Sequence, residues 1–234
     1  MIEVRRDEDI YEKEGGWFHA RWHFSFDEYR DPKWDQFGSL RVFNDDRLVA
    51  GVAWPMHPHR DIEGITYVVE GTFRHADNLG GNYQVLPAGS VQRMSLGSGS
   101  WHSEQNASET EPMRFIQMWI LPRERGLQPS VEQKVFTKED RTGRLLRVLS
   151  PEGGDAVLVH QDAGVYVSSL PAGTSVSHKF ADGTGGYLYV IEGAVRLNGE
   201  RLPTGDAAKI HDEPEITLEA EEPTELIMAE VRLD

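Results

Sequence analysis

Residues 65–75 read ITYVVEGTFRH and residues 86–94 read LPAGSVQRM, and far downstream the chain repeats this pattern as YLYVIEGAVRL (187–197) and LPTGDAAKI (202–210). In each copy a run of β-branched and aromatic residues halts at Glu-Gly, resumes, and is followed at a similar separation by Leu-Pro-x-Gly. Runs rich in Val, Ile, Tyr and Phe bounded by Gly or Pro have the pattern of strands, and a glycine between two of them has that of a hairpin turn. The chain is therefore expected to contain two copies of one β-module.

The rest of the sequence agrees. SLRVF (39–43), MRFIQMWIL (113–121), RLLRVLS (144–150), VLVH (157–160), VYVSSL (165–170) and TELIMAEVRL (224–233) read as further short strands, separated by turn signals such as NDD, NLGGN, GSGS, PEGGD, ADGTGG and NGE. No long stretch carries helical periodicity, so an all-β sandwich or barrel is predicted rather than an α/β sheet. The segment LPRERGLQPSVEQKVFTKED (121–140), rich in turn and charged residues, reads as the connector. The modules are expected to divide near residue 136, into units 1–136 and 137–234.

Composition narrows the chemistry. A chain of 234 residues can bury a substantial core without covalent staples, and it has no cysteine. Any bound metal must then be held by histidine, carboxylate or backbone oxygen. The formal net charge of −15 argues against direct binding to nucleic acid, which draws its affinity from clustered Lys and Arg. The opening residues MIEVRRDEDIYEKEGG contain no apolar signal core, and nowhere is there an uncharged run near the ~20 residues a membrane helix needs. A cytoplasmic protein without membrane contact is expected.

In WPMHPHRDIEG (54–64), His57 and His59 stand at alternate positions, which on a strand point to the same side. WHSEQN (101–106) places His102 and Glu104 at the same spacing. If both pairs face one barrel interior, three neutral imidazoles and one carboxylate converge, a set that suits Fe, Ni, Mn, Co or Zn. Calcium and magnesium, which prefer oxygen, are disfavoured. Such a set leaves two positions open on an octahedral metal and closes a tetrahedral one. Either pair alone has the character of a surface or hydrogen-bonded core histidine; their combination in order carries the reading.

Gly51 to Glu63, with Pro87 and Gly89, resembles the cupin signature G-x5-H-x-H-x3-E followed by P-x-G. The longer strings HPHRDIEGITYVVEG, VQRMSLGSGSWHSE, GWFHARWHFSF and DPKWDQFGSLRVFNDD resemble the pirin family, especially its bacterial branch with quercetin 2,3-dioxygenase activity. The resemblance covers residues 16–136 well and the C-terminal half more loosely. It implies a bicupin of two stacked antiparallel β-barrels with metal only in the first, bound by His57, His59, His102 and Glu104. Iron(II) is the leading expectation, with nickel, cobalt, manganese and zinc open. A flavonol-like hydroxylated aromatic and dioxygen are the implied substrates, with Glu104 as general base if it can leave the metal. The rival is a non-catalytic regulator in which the metal's oxidation state alters a surface for a protein partner; a third reading is an oxygen-independent Lewis-acid enzyme. Members of the family are usually monomers.

In many cupins the carboxylate ligand sits where Glu63 does, so Glu63 competes with Glu104. Glu104 is preferred because it shares a strand face with His102, whereas Glu63 follows a turn at Arg60 and Asp61 and is left to orient a ligand from behind. Asp61 itself is an acid, as in the quercetinase-like branch, where nuclear pirins often carry glycine. His19 and His23 are expected in an extended segment with packing roles, and His75, His160 and His178 have no partner at ligand spacing. HDE (211–213) is a decoy, near a turn before the strand EITLE, since the positions matching His102 and Glu104 fall around Ile216 to Leu218. Trp54, Met56, Met94, Gln117 and Trp119 are candidates for the cavity lining.

Overall fold

A computed structural model of the chain describes residues 1–81 and 83–233; Asn82, the last residue of NLGGN, and Asp234 lie outside the described residues. In chain order the first half supplies β1 (Ile2–Arg5), β2 (Tyr11–Glu14), β3 (Phe18–Trp22), β4 (Leu40–Leu48), β5 (Ala53–His59), β6 (Glu63–Glu70), β7 (Thr72–Asp77), β8 (Leu86–Pro87), β9 (Ser90–Ser95), β10 (Ser100–Asn106), β11 (Met113–Ile120) and β12 (Ser130–Val135). A four-residue helix, Lys138–Arg141, follows, capped by Thr137. The second half supplies β13 (Leu146–Ser150), β14 (Val157–Leu158), β15 (Ala163–Leu170), β16 (Ser175–Lys179), β17 (Thr184–Glu192), β18 (Ala194–Leu197), β19 (Glu200–Pro203), β20 (Ala207–Ile210), β21 (Glu215–Ala220) and β22 (Thr224–Arg232).

Each module pairs a seven-stranded sheet with a four-stranded one, and the two modules form the expected bicupin. The first combines β12-β9-β6-β11-β4-β3-β2 with β5-β10-β7-β8; the second combines β1-β20-β17-β22-β15-β13-β14 with β16-β21-β18-β19. The repeat read from sequence is a repeat of backbone. Gly71 ends β6 and Gly193 ends β17 at φ 78° and 89°, and a Cβ at either would stand 2.5 or 2.3 Å from the carbonyl oxygen of Pro112 or Pro223. Both turns need a left-handed residue with no side chain.

Strand parity sorts the side chains. On β6, Ile65 and Tyr67 point toward the other module, as do Ile116 and Met118 on β11 and Phe43 on β4; they meet Val165, Tyr187, Tyr189 and Ile227 in one core between the two large sheets. Each fully buried aliphatic side chain here contributes about 1.5–3 kcal/mol. Polar pins cross the same interface: the Tyr189 hydroxyl donates at 2.7 Å to Asp45, which Arg114 of its own sheet also holds at 2.6 Å, and His23 Nδ1 lies 2.8 Å from the Tyr187 hydroxyl. Residues of opposite parity, such as Thr66 and Gln117, turn into the first barrel.

Three segments differ from their sequence reading. The connector contains β12, which pairs with β9 at the sheet edge; its charges, which suggested a loop, are the ordinary protection of an exposed edge. NDD (44–46) is no turn but the middle of β4. Asp and Asn have poor strand propensity, but here Asp45 is held by Arg114 and its two neighbours face a cavity. Finally, β1 pairs with β20, so residues 2–5 hydrogen-bond into the sheet of the second module.

Candidate metal centre

The two histidine-bearing strands lie side by side. β10 pairs antiparallel with β5, with His102 directly opposite His57, and the register slips between His102 and Glu104 because Glu104 faces Trp54. Pro55 and Met56 thus oppose the single residue Ser103, a bulge placed where proline has no N–H to give the ladder. The bulge changes the parity of β5, so that Trp54 before it and His57 and His59 after it all face the same cavity. The Pro55 carbonyl then accepts from His57 Nδ1 at 2.7 Å. That bond leaves the Nε2 lone pair of His57 free for a ligand.

One ring nitrogen from each of His57, His59 and His102 falls within 4.8 Å of the others. Ring centroids stand 4.5 Å apart for His57 and His102, 4.8 Å for His57 and His59, and 5.3 Å for His59 and His102. Neither nitrogen of the buried His102 has a hydrogen-bond partner among the described residues, an arrangement costly in a packed core unless something occupies it. Burial, then the neighbouring rings, lowers His102 to about 3; burial, then His57, lowers His59 to about 4. Both are neutral at physiological pH, as metal ligation requires. The residues fit a divalent transition metal.

Glu104 belongs to the same cavity but not to that close group of three. Its carboxylate lies 3.4 Å from the Thr66 hydroxyl, which itself donates to Gln117 Oε1 at 2.8 Å. Burial pushes the carboxyl up to about 7, with Thr66 and Gln117 pulling the other way. The cavity has a volume of about 330 Å³ and is walled mainly by aromatic rings, including Phe18, Trp22, Phe26 and Trp119. The Trp119 ring sits 4.7 Å from that of His59.

Of the residues expected to line the cavity, Trp54, Gln117 and Trp119 do so. Met94 is buried instead in a small cluster with Ile62 and Leu96, and Met56 is exposed at the bulge. Glu63 points away from the histidines, as its parity with Ile65 dictates. It accepts from Ser95 at 2.6 Å and meets His160 of the second module at 3.2 Å, so it ties the modules together rather than orienting a ligand. Asp61 has φ 54°, and its carboxylate accepts from the Gly126 amide at 2.7 Å. An acid or a glycine at this position therefore has a backbone explanation, since both tolerate the left-handed conformation.

His75, read as having no partner at ligand spacing, has one in Asp77 two residues on, and is satisfied by Asp77 and Gln92 at 2.8 and 3.2 Å rather than turned to the histidine cluster. His19 lies on extended β3 and His23 just beyond it, hydrogen-bonded in the core. HDE falls in the turn between β20 and β21, with the His211 ring bonded to its neighbour Asp212. Asn44 and Asp46 line the cavity and were missed. Their signal was present: four polar residues, Asn44 to Arg47, between Leu40-Arg-Val-Phe and Leu48 mark a strand with something polar to face.

Comparison with known proteins places this geometry. The chain matches the pirin family over residues 4–120 and a quercetinase C-terminal cupin domain over residues 147–231. It is 40% identical over 230 residues to the quercetin 2,3-dioxygenase of Escherichia coli K12, covering 97% of each chain. It is 40% identical over 232 residues to a pirin-like protein of Caulobacter vibrioides, covering 98% of this chain and 99% of that one. The crystal structure of bacterial pirin YhhW from Escherichia coli in complex with nickel(II) superposes with a TM-score of 0.93 over 100% of both chains, at 37% identity.

Proposed function

This chain belongs to the pirin family, and from that premise we propose that it is a metal-dependent dioxygenase opening a flavonol-like hydroxylated aromatic. The observation that carries the reading is an aromatic-walled cavity of about 330 Å³ adjoining three clustered imidazoles, one of them with both nitrogens unpartnered among the described residues. That volume lies at the lower end of ligand pockets, roughly 300–1,000 Å³. A regulator that signals through its outer surface needs no such cavity, whereas an enzyme does. His57, His59, His102 and Glu104 would hold one divalent metal, with iron(II) first; that the related YhhW forms a nickel(II) complex supports a divalent ion. When bound, the metal would supply Lewis acidity toward a hydroxylated substrate and its reaction with dioxygen.

The chain's own residues do the rest. His57 is fixed in one tautomer by the Pro55 carbonyl. Phe18, Trp22, Trp54 and Trp119 exclude water and hold a planar ring by its faces. Glu104, buried at the cavity wall, would, if it leaves the metal, be the group placed to take a hydroxyl proton from the substrate as general base. Histidines and cavity come from one chain, so a monomer suffices. We retain residue 136 as the division between the metal-binding and structural modules.

The test is oxygen uptake by purified protein loaded separately with Fe, Ni, Co and Mn, with quercetin in air. Uptake with release of carbon monoxide and a depside is the expected result; no uptake with any of these metals ends the reading. Turnover of equal rate under argon would assign the site to an oxygen-independent Lewis-acid reaction instead.

A further inference from the structure

Asn44 and Asp46 occupy alternate positions of β4 and share its inner face, on the large sheet rather than the small one that carries the histidines. They are all but sealed, at 3% and 6% exposure, in a wall made mainly of rings. Asn44 Oδ1 has no hydrogen-bond partner among the described residues. For the Asp46 carboxyl no hydrogen bond is found among the described residues; what acts on it is burial and the charges of Asp45 and Glu104, which together hold it well above the usual carboxylate range. Asp45 between them, on the opposite face of the strand, is fully engaged by Arg114 and Tyr189. The strand therefore satisfies the acid it uses for structure and leaves two polar groups facing the cavity.

Unpaired buried acceptors destabilise a fold, and a ligand that brings donors removes the penalty. Ring walls favour a flat ligand, a side-chain amide can donate or accept, and a carboxyl oxygen accepts. We propose that Asn44 and Asp46 form the hydroxyl-reading edge of the cavity, selecting planar aromatic ligands that carry hydroxyl groups beyond the one directed at the histidines. The inference rests on the reading of this cavity as the substrate site.

The test compares quercetin with 3-hydroxyflavone, which keeps the ring system and the 3-hydroxyl but lacks the other hydroxyls. Each is titrated into metal-loaded protein under argon, with quenching of tryptophan fluorescence as the readout, since Trp22, Trp54 and Trp119 line the cavity. Wild type is expected to bind quercetin about tenfold more tightly or better, two hydrogen bonds' worth. Asn44→Leu and Asp46→Leu should each weaken quercetin binding about five- to tenfold while leaving 3-hydroxyflavone within about twofold. Asp46→Asn, which retains hydrogen-bonding groups, should keep part of the preference. A structural role makes the opposite forecast for heat: removing a group the fold needs lowers the melting temperature, whereas ligand-free Asp46→Leu should melt at or above wild type.

The inference is overturned if wild type shows no preference, if neither flavonoid binds, or if both leucine variants keep the preference. Oxygen uptake in air on the same samples separates the two readings. A preference that responds to these substitutions without uptake leaves hydroxyl recognition standing and removes the dioxygenase; uptake with an unchanged preference does the reverse.

Discussion

β10 in the first module and β21 in the second hold corresponding places in their four-stranded sheets, and each buries alternate residues. On β10 these are Ser100, His102, Glu104 and Asn106; on β21 they are Ile216, Leu218 and Ala220. The same periodicity therefore yields a polar site in one barrel and a filled interior in the other. In the second barrel, Leu188, Val190, Ile216 and Leu218 belong to one continuous cluster. In the first, the interior is divided into two smaller clusters, one backed by Trp54 and the other by Trp119, and both tryptophans border the cavity. A barrel can host chemistry only by giving up packing. The shared core between the large sheets, reinforced by β1 crossing to β20, compensates for that loss.

The largest expected effect tests the polar half of this contrast. His102→Ala should lower metal affinity at least about a thousandfold, beyond the 10–100-fold typical of outer partners, read as metal per chain after dialysis. In the same assay Glu104→Ala should retain less than half of the wild-type metal; full occupancy would remove Glu104 from the ligand set.

The next concerns the filled half. Leu218→Ala should cost about 3 kcal/mol of stability in urea unfolding, the usual price of a large cavity in a core, with metal content unchanged. A loss below about 1 kcal/mol would mean the second barrel is not packed as its burial implies.

A smaller effect depends on pH. In metal-free protein the Glu104 carboxyl titrates near 7 in the fold and near 4.5 unfolded, so the folded state holds its proton more tightly. Its contribution to stability is present below 4.5 and lost as pH rises through 7. Glu104→Gln, neutral throughout, should therefore be more stable than wild type at pH 8 by on the order of 2 kcal/mol and indistinguishable from it near pH 4. Equal stability at both pH values would show that the carboxyl is solvated rather than buried.

The smallest is a null. His211→Ala should change neither metal content nor unfolding midpoint, because among the described residues that ring is bonded only to the adjacent Asp212 in a surface turn.

The repeat of Glu-Gly and Leu-Pro-x-Gly, the spacing of the two histidine-bearing pairs and the absence of cysteine were enough to expect two β-barrels and a nitrogen-rich site in the first. These are local properties: alternation on a strand and the backbone demands of a glycine turn act between neighbours in the chain. What folding across the sheet decided was less local. The bulge at Pro55 and Met56 exists only against β10, yet it brings Trp54 into line with the histidines. Glu63 could not be assigned until Ser95 and His160 were in place around it, and NDD looked like a turn until Arg114 and the cavity supplied its environment. Propensity describes a residue's preference in water and its nearest bonds, whereas the partner of a buried polar group comes from a distant strand. Sequence therefore named the candidate donors, and packing determined what each of them faces.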